Sequence, residues 1–131
     1  STMHTTSQAL SVNQTLNQQL QSYGYHLRAE DMTALKQSVQ HACSAFDLVE
    51  SDYHILYELI KALAASPYAD ATRYLPMLHD AIFSYYQLRS LFSWQVNDAT
   101  ILHTLLTFHM QYGTFDKVLI KRCCKQLKIR K

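Results

Sequence analysis

Apolar residues recur at helical spacing along most of the chain. From residue 32 to residue 46 they stand three or four positions apart, and the same spacing returns in each later segment. The mid-stripe positions of the central segments are Leu56, Ile60, Leu78, Ile82, Leu105 and Phe108. This period places one apolar stripe on each helix and differs from the alternation typical of strands. The pattern predicts an all-α protein without a sheet of three or more strands, with these six residues in its core.

Turn and capping residues divide the pattern into about six helices. Gly24 and Gly113 are placed to end the first and the fifth in a left-handed conformation. Ser66-Pro67 ends the third, because the proline ring disfavours helical geometry in the residue before it. Pro76 lies near the start of the fourth and predicts a bend or a delayed beginning. The expected N-caps of the last four helices are Ser51 or Asp52, Asp70, Asn97 with Asp98, and Thr114.

Length and composition fit one domain. The chain has 131 residues but only two glycines and two prolines, which favours long helices joined by short connections. Short connections favour antiparallel neighbours, so we expect a compact bundle. Residues 7–23 form a Gln/Asn-rich segment with few apolar positions, and residues 1–10 are expected to be flexible. Residues 11–131 are expected to form a single helical domain that ends in a basic helix or tail.

The cysteines and the lengths of the apolar runs indicate the cellular compartment of the protein. Cys123 and Cys124 are adjacent and Cys43 stands alone, which gives no disulfide framework. We therefore expect reduced thiols in a cytoplasmic protein. The longest unbroken apolar run, residues 62–65, is far too short for a transmembrane helix. No membrane span is expected.

Charge is divided sharply along the chain. Residues 117–131 carry seven basic residues and no acidic one, a charge of +7, whereas residues 1–116 carry −5. The candidates for binding an anion or a partner are Lys117, Lys121, Arg122, Lys125 and Lys128. Favourable interaction of cations with a helix C-terminus explains part of this segment without any ligand. The alternative is anion binding, shared among nucleic acid, an acidic patch on another subunit and anionic lipid. No aromatic residue follows Phe115, which argues against a stacking platform for single strands.

Tyrosine dominates the aromatic content, with nine residues against one tryptophan. Its ring is apolar and its hydroxyl needs a partner, so tyrosine suits both core edges and interfaces. The candidates for an aromatic surface are Tyr68, Tyr74, Tyr85 and Tyr86. The two interpretations, core edge and partner surface, both remain open at this stage.

Histidine groupings fall short of a metal site. His54 and Glu58 stand four apart on a predicted helix, but zinc needs three or four ligands. His103 and His109 stand six apart, on different faces, and only tertiary contacts could complete a site there. We predict no metal ligands and no cofactor.

A thiol nucleophile is the remaining chemical candidate. Cys123 and Cys124 lie among cations, which lower the pKa of a thiol. No histidine or aspartate is close in sequence to act as base and orienter. The alternative is one small core residue beside one partly exposed residue, and no catalytic residue is predicted.

The order of turn and aromatic residues resembles a family of short all-helical bacterial proteins catalogued only as a domain of unknown function. The residues that carry the resemblance span about 23–119: Tyr23-Gly24, Leu27, Asp31, Ser66-Pro67-Tyr68, Tyr74, Leu78, Phe83, Tyr85, Tyr86, Asp98 and Gly113-Thr114. The chain differs from the family pattern at Arg28, where a capping Ser or Thr is usual, and in its basic end. The resemblance implies a helical fold and no activity.

Together these observations favour a non-enzymatic helical interaction module, self-associating or binding a protein partner through Tyr-rich or Leu-rich helix faces. The alternative is a nucleic-acid-associated protein that binds through its basic last helix. An enzyme ranks third, because no catalytic site is assembled in the sequence.

Overall fold

A computed structural model describes the backbone of residues 2–49, 52–92 and 95–130 and the side chains of residues 12–49, 52–92 and 95–128. This part of the chain contains six helices and no strand: α1 (Thr2–Gln21), α2 (Ala29–Ala45), α3 (His54–Ala64), α4 (Tyr74–Phe92), α5 (Asp98–Tyr112) and α6 (Lys117–Arg130). The all-α prediction is confirmed. The expected flexibility of residues 1–10 stays a prediction, and the Ser51 cap lies outside the described residues.

The core is centred on α4, which packs against α2, α3, α5 and α6. Five of the six predicted core residues are completely buried, namely Leu56, Ile60, Leu78, Ile82 and Leu105. Phe108 is only partly buried, and the core prediction is wrong in degree there. It lies at the edge of α5, where its ring stacks with that of Tyr112 at a centroid distance of 6.2 Å.

The end of α1 is closed by hydrogen bonds of the Schellman type. The backbone N–H of Gly24 donates to Gln21 and that of Tyr25 donates to Leu20, with Gly24 at a φ of +82°. Asn17 then holds the following extended segment, because its side-chain amide accepts from the N–H of Leu27 at 2.8 Å and donates to the carbonyl of the same residue at 2.9 Å. The left-handed end predicted at Gly24 is confirmed.

Arg28 occupies the N-cap of α2, although its side chain has no hydrogen-bond acceptor. The carboxylate of Asp31 compensates by accepting from the Arg28 backbone N–H at 2.9 Å and pairing with its guanidinium. The guanidinium of Arg28 also holds the pKa of Asp31 below its usual value. The departure at Arg28 therefore exchanges a hydroxyl cap for a carboxylate in the first turn, where the helix dipole favours negative charge.

The connections into α3 and α4 use aspartates. The carboxylate of Asp52 accepts from the backbone N–H of His54, at the start of α3. Asp70 accepts from the N–H groups of Thr72 and Arg73 and so caps a short turn ahead of α4. α4 begins only at Tyr74, with Pro76 in its first turn, where the missing N–H costs little. The delayed beginning is confirmed.

The two ends of α5 follow the prediction, and the start of α6 corrects it. Asn97 caps α5 by accepting from Thr100, and Gly113 ends it at a φ of +80°. The cap of α6 is Asp116, whose carboxylate accepts from the Leu119 N–H at 3.0 Å. The predicted Thr114 cap is wrong because α6 starts at Lys117, beyond the reach of that hydroxyl. In the described part of the chain, no helix combines the length and apolar character needed to cross a bilayer.

Candidate functional site

Four lysines form the outward face of α6. Lys117, Lys121, Lys125 and Lys128 are all exposed, and their spacing of four, four and three keeps them on one side of the helix. At a rise of 1.5 Å per residue this row is about 16 Å long. None of the four pairs with a carboxylate among the described residues. We call this row the lysine face.

The opposite side of α6 fixes the lysine face outward. Leu119, Ile120, Cys123 and Leu127 are buried, and the helix packs against α5 and α4. Rotation of α6 would bring these apolar side chains into water, which costs about 1.5–3 kcal/mol for each large one. The lysine face is therefore a rigid surface of the bundle.

Arg122 lies beside the lysine face and meets an aromatic ring from α5. Its guanidinium carbon is 4.3 Å from the ring centroid of Tyr112, and Nη1 donates to the Tyr112 hydroxyl at 3.0 Å. Tyr112 remains 45% exposed, and Val118, one turn before Arg122, is 56% exposed. The sequence has no aromatic residue within the basic segment 117–131, so this pair was missed. Only the antiparallel packing of α5 against α6 brings it together.

A cleft of about 320 Å³ opens between α5 and α6 next to this pair. It is lined by His103, Thr104, Thr107, Phe108, Gln111 and Gln126. Two of its lining residues neighbour the Arg122–Tyr112 pair, because Gln126 lies one helical turn from Arg122 and Phe108 stacks with Tyr112. The Oγ1 atom of Thr104 is buried without a hydrogen-bond partner. The cleft thus combines an aromatic ring with amide, imidazole and hydroxyl groups.

Three of the four predicted surface tyrosines are buried. Tyr74, Tyr85 and Tyr86 are at most 5% exposed, because α4 is surrounded on most of its sides. The Tyr74 hydroxyl donates to the carbonyl of Ile60 at 2.7 Å. Burial raises the pKa of Tyr74. The surface interpretation is wrong for these three residues, which are core-edge residues instead.

Tyr68 is half-buried and serves the fold. Its hydroxyl donates to the carbonyl of Met110 at 3.1 Å, and its ring lies against Gly113. Both contacts hold the loop after α3 to the end of α5. Among the described residues, a partner surface that uses tyrosine would therefore lie at other positions, such as Tyr112.

Ser66 and His109 form a buried polar contact that sequence spacing does not reveal. Ser66 Oγ accepts from the Tyr68 N–H and forms a second hydrogen bond with His109 Nε2 at 2.9 Å. The imidazole is fully buried and stacks on Phe115 at 4.4 Å. Burial lowers the pKa of His109, and a weaker interaction with the Thr114 backbone opposes this effect. The pair resembles a nucleophile and its base, but it is sealed from solvent and joins the loop after α3 to helix α5.

The cysteine pair divides as the less reactive interpretation predicts. Cys123 is completely buried and Cys124 is half-buried. Burial, with a smaller effect of Cys124, raises the pKa of Cys123 to about 12. Desolvation also raises the pKa of Cys124, although Lys128 opposes it. The cations of α6 therefore do not activate these thiols, because their charges point into water.

His54 lies apart from the other histidine candidates, in a pocket of about 270 Å³ beside Asp52, Arg89 and Asp98. Asp98 accepts from the Tyr85 hydroxyl at 2.7 Å and pairs with Arg89 at 3.1 Å. Among the described residues, no three side chains of the metal-binding types lie close enough to share an ion. His103 and His109 are not brought together, since His103 is exposed and His109 is buried.

Comparisons with known proteins identify a family but indicate no activity. The model of a family of unknown function, DUF6323, matches residues 13–129. No curated protein and no solved structure matches the chain. The function must therefore be argued from the surface itself.

Proposed function

The chain belongs to the DUF6323 family, whose function is unknown, and we propose that it is a non-enzymatic helical binding module. Its binding surface is the lysine face of α6, and its partner is an anionic macromolecule. The observation that carries this proposal is a row of four exposed lysines, none of which forms a salt bridge with a carboxylate among the described residues. Like charges at this spacing repel one another, so the row costs stability in the free protein. A polyanion removes that cost on binding.

The alternative of catalysis has less support. The Ser66–His109 pair has no access to a substrate, and burial keeps the Cys123 thiol protonated. A reducing, cytoplasmic setting suits three cysteines that form no disulfide among the described residues, and we include it in the proposal.

A salt titration tests the proposal. Each phosphate contact releases counterions, so three or four contacts should give a log–log slope of roughly −3 to −4 on duplex DNA. The variant Lys121→Glu/Lys125→Glu should abolish binding at about 50 mM salt, a concentration at which phosphate contacts are strong. The matched control is Lys61→Glu/Arg73→Glu, which changes two exposed cations outside α6 and leaves the same net charge.

Polyglutamate provides the second probe, because an acidic protein surface offers the same charge without bases. Binding of either probe that depends on Lys121 and Lys125 supports the proposal. Equal loss in both double variants would mean that net charge alone attracts the probe, and the lysine face would have no special role. Retention of neither probe at low salt would reject the proposal.

Self-association is a second candidate, favoured by one exposed stripe. Phe83 is 48% and Leu91 56% exposed, and they lie two turns apart on the outward side of α4. The Phe46 ring packs against Phe83 at a centroid distance of 5.0 Å and widens the apolar area. Light scattering should show a dimer. Leu91→Lys should dissociate this dimer. Leu102→Lys, on another helix, should instead disturb the core. A monomer in the wild type would end this candidate.

A further inference from the structure

Building on the proposed function, we propose that the anionic partner of α6 is a single-stranded nucleic acid. Its phosphates follow the lysine face, and one of its bases enters the α5–α6 cleft beside Phe108 and Tyr112. The proposal rests on the juxtaposition of three features: a charged row, an aromatic pair and a polar cleft.

The charged row has the right length for a short stretch of backbone. It is about 16 Å long. One strand of a duplex advances 3.4 Å per nucleotide, and an extended strand advances further, so the row matches about three to five phosphates. Lysine binds a phosphate as a point charge and reads no base, which suits a surface that tracks the backbone.

The aromatic pair distinguishes this surface from a purely electrostatic one. Phe108 and Tyr112 lie nearly parallel, with an interplanar angle of 17°, and Tyr112 is 45% exposed. Arg122 covers part of the Tyr112 ring at 4.3 Å. Bases stack on such rings and on guanidinium planes, and this stacking is the usual device for holding unpaired strands. A duplex keeps its bases stacked inside and would leave the pair unused.

The cleft offers partners for the edge of a base. Gln111 and Gln126 provide amides that both donate and accept, and Thr104 Oγ1 is buried there without a partner. An acidic polypeptide meets the charge requirement but brings no flat ring with polar edges. The observations therefore favour nucleic acid.

Fluorescence anisotropy with labelled oligonucleotides tests the proposal. The probes are oligothymidylate and oligouridylate of about 12 nucleotides, within the range of known single-strand site sizes, and a duplex of equal length. We expect both single strands to bind more tightly than the duplex. The difference between the two single strands reports on the 2′-hydroxyl together with the C5 methyl group of thymine.

Substitutions at Tyr112 separate the ring from the charge. Tyr112→Ala should weaken single-strand binding about 5- to 100-fold, the usual effect of removing one stacking ring, and leave duplex binding unchanged. Tyr112→Phe keeps the ring, loses only the hydroxyl bond to Arg122, and should retain binding. The matched control is Tyr23→Ala, an equally exposed tyrosine in the loop after α1. Circular dichroism confirms that each variant is folded.

An oligonucleotide with abasic sites removes the partner side of the same contact. Its affinity for the wild type should be as low as the affinity of the normal oligonucleotide for Tyr112→Ala. Its affinity for Tyr112→Ala should be no lower still, because the same interaction is removed only once. Equal binding of single strand and duplex, unchanged by Tyr112→Ala, would overturn the inference and leave the proposed function standing. Binding of polyglutamate alone would also overturn it. Failure of every polyanion would reject both.

Discussion

The ring of Tyr68 lies directly against Gly113, at the turn between α5 and α6. A Cβ atom placed on Gly113 would be 2.7 Å from Tyr68 Cε1, too close for any real side chain. The same glycine has a φ of +80°, a conformation that side chains disfavour. Gly24 has nearly the same φ of +82° but nothing within 4 Å of its Cβ position. The two glycines therefore separate conformational strain from steric overlap.

We expect Gly113→Ala to destabilise the protein more than Gly24→Ala. The left-handed conformation alone costs roughly 1–2 kcal/mol, and this is the whole effect at Gly24. At Gly113 the Tyr68 ring must also move, which disturbs the hydrogen bond to Met110. Urea unfolding of both variants measures the difference. Equal losses would mean that the ring moves aside at no cost.

A second prediction concerns the buried imidazole of His109. An unfolded histidine takes up a proton with a pKa of about 6.5, whereas burial lowers the pKa of His109 in the folded protein. As the pH falls through about 6.5 the unfolded state binds more protons, so the free energy of unfolding decreases. The contribution of one proton is at most about 1.4 kcal/mol per pH unit. Above this pH range His109 no longer makes the free energy of unfolding depend on pH.

Unfolding measured between about pH 5 and pH 8 tests this prediction, since the window spans the unfolded pKa. His109→Gln should flatten the pH dependence, whatever its effect on absolute stability. The control His41→Gln changes an exposed histidine of α2 and should keep the wild-type slope. A His109→Gln slope identical to that of wild type would contradict the account of a buried neutral imidazole.

The third prediction compares the cost of truncating two apolar residues on the same face of α5. Leu105 is completely buried, and its truncation to alanine should cost about 2–5 kcal/mol. Phe108 is only partly buried, so its truncation should cost less than full burial of a phenylalanine implies. Denaturant unfolding of the two variants gives the order directly. A larger loss at Phe108 would show that its contact with Tyr112 matters more than its exposure suggests.

The sequence predicts the helices well because their signals are local. Leu56 and Ile60 stand one turn apart, and the spacing alone places both inside. The cap of α6 is predicted two residues early, since Thr114 and Asp116 both have capping side chains and only the packed turn decides between them. Local reasoning fails further at Tyr85 and Tyr86. Adjacent helix positions point in different directions, and both are buried because α4 has neighbours on several sides.

The candidate site could be predicted only in part for the same reason. The spacing of Lys121 and Lys125 follows from helix geometry and needs no tertiary contact. The pairing of Arg122 with Tyr112 joins two helices and depends on how α5 packs against α6. The hydrogen bond between His109 and Ser66 likewise joins residues 43 positions apart. Contacts of this range leave no periodic signal in a single sequence.

The last prediction concerns the order of thiol reactivity. Cys123 and Cys43 are buried, whereas Cys124 is half-buried on α6. The thiolate is the reactive species, and burial raises the pKa of Cys123 to about 12, so this thiol stays protonated and inaccessible near neutral pH. We expect a thiol reagent to modify Cys124 first in the folded protein, slowly, because desolvation raises its pKa as well. Mass spectrometry of partly labelled protein identifies the residue. Cys124→Ser should remove the early labelling, and Cys123→Ser should leave it in place. All three cysteines should react at similar rates in denaturant, because unfolding removes the difference in burial. Labelling of Cys123 ahead of Cys124 in the folded protein would mean that α6 opens from the bundle. The description of the lysine face as a rigid surface would then be wrong as well.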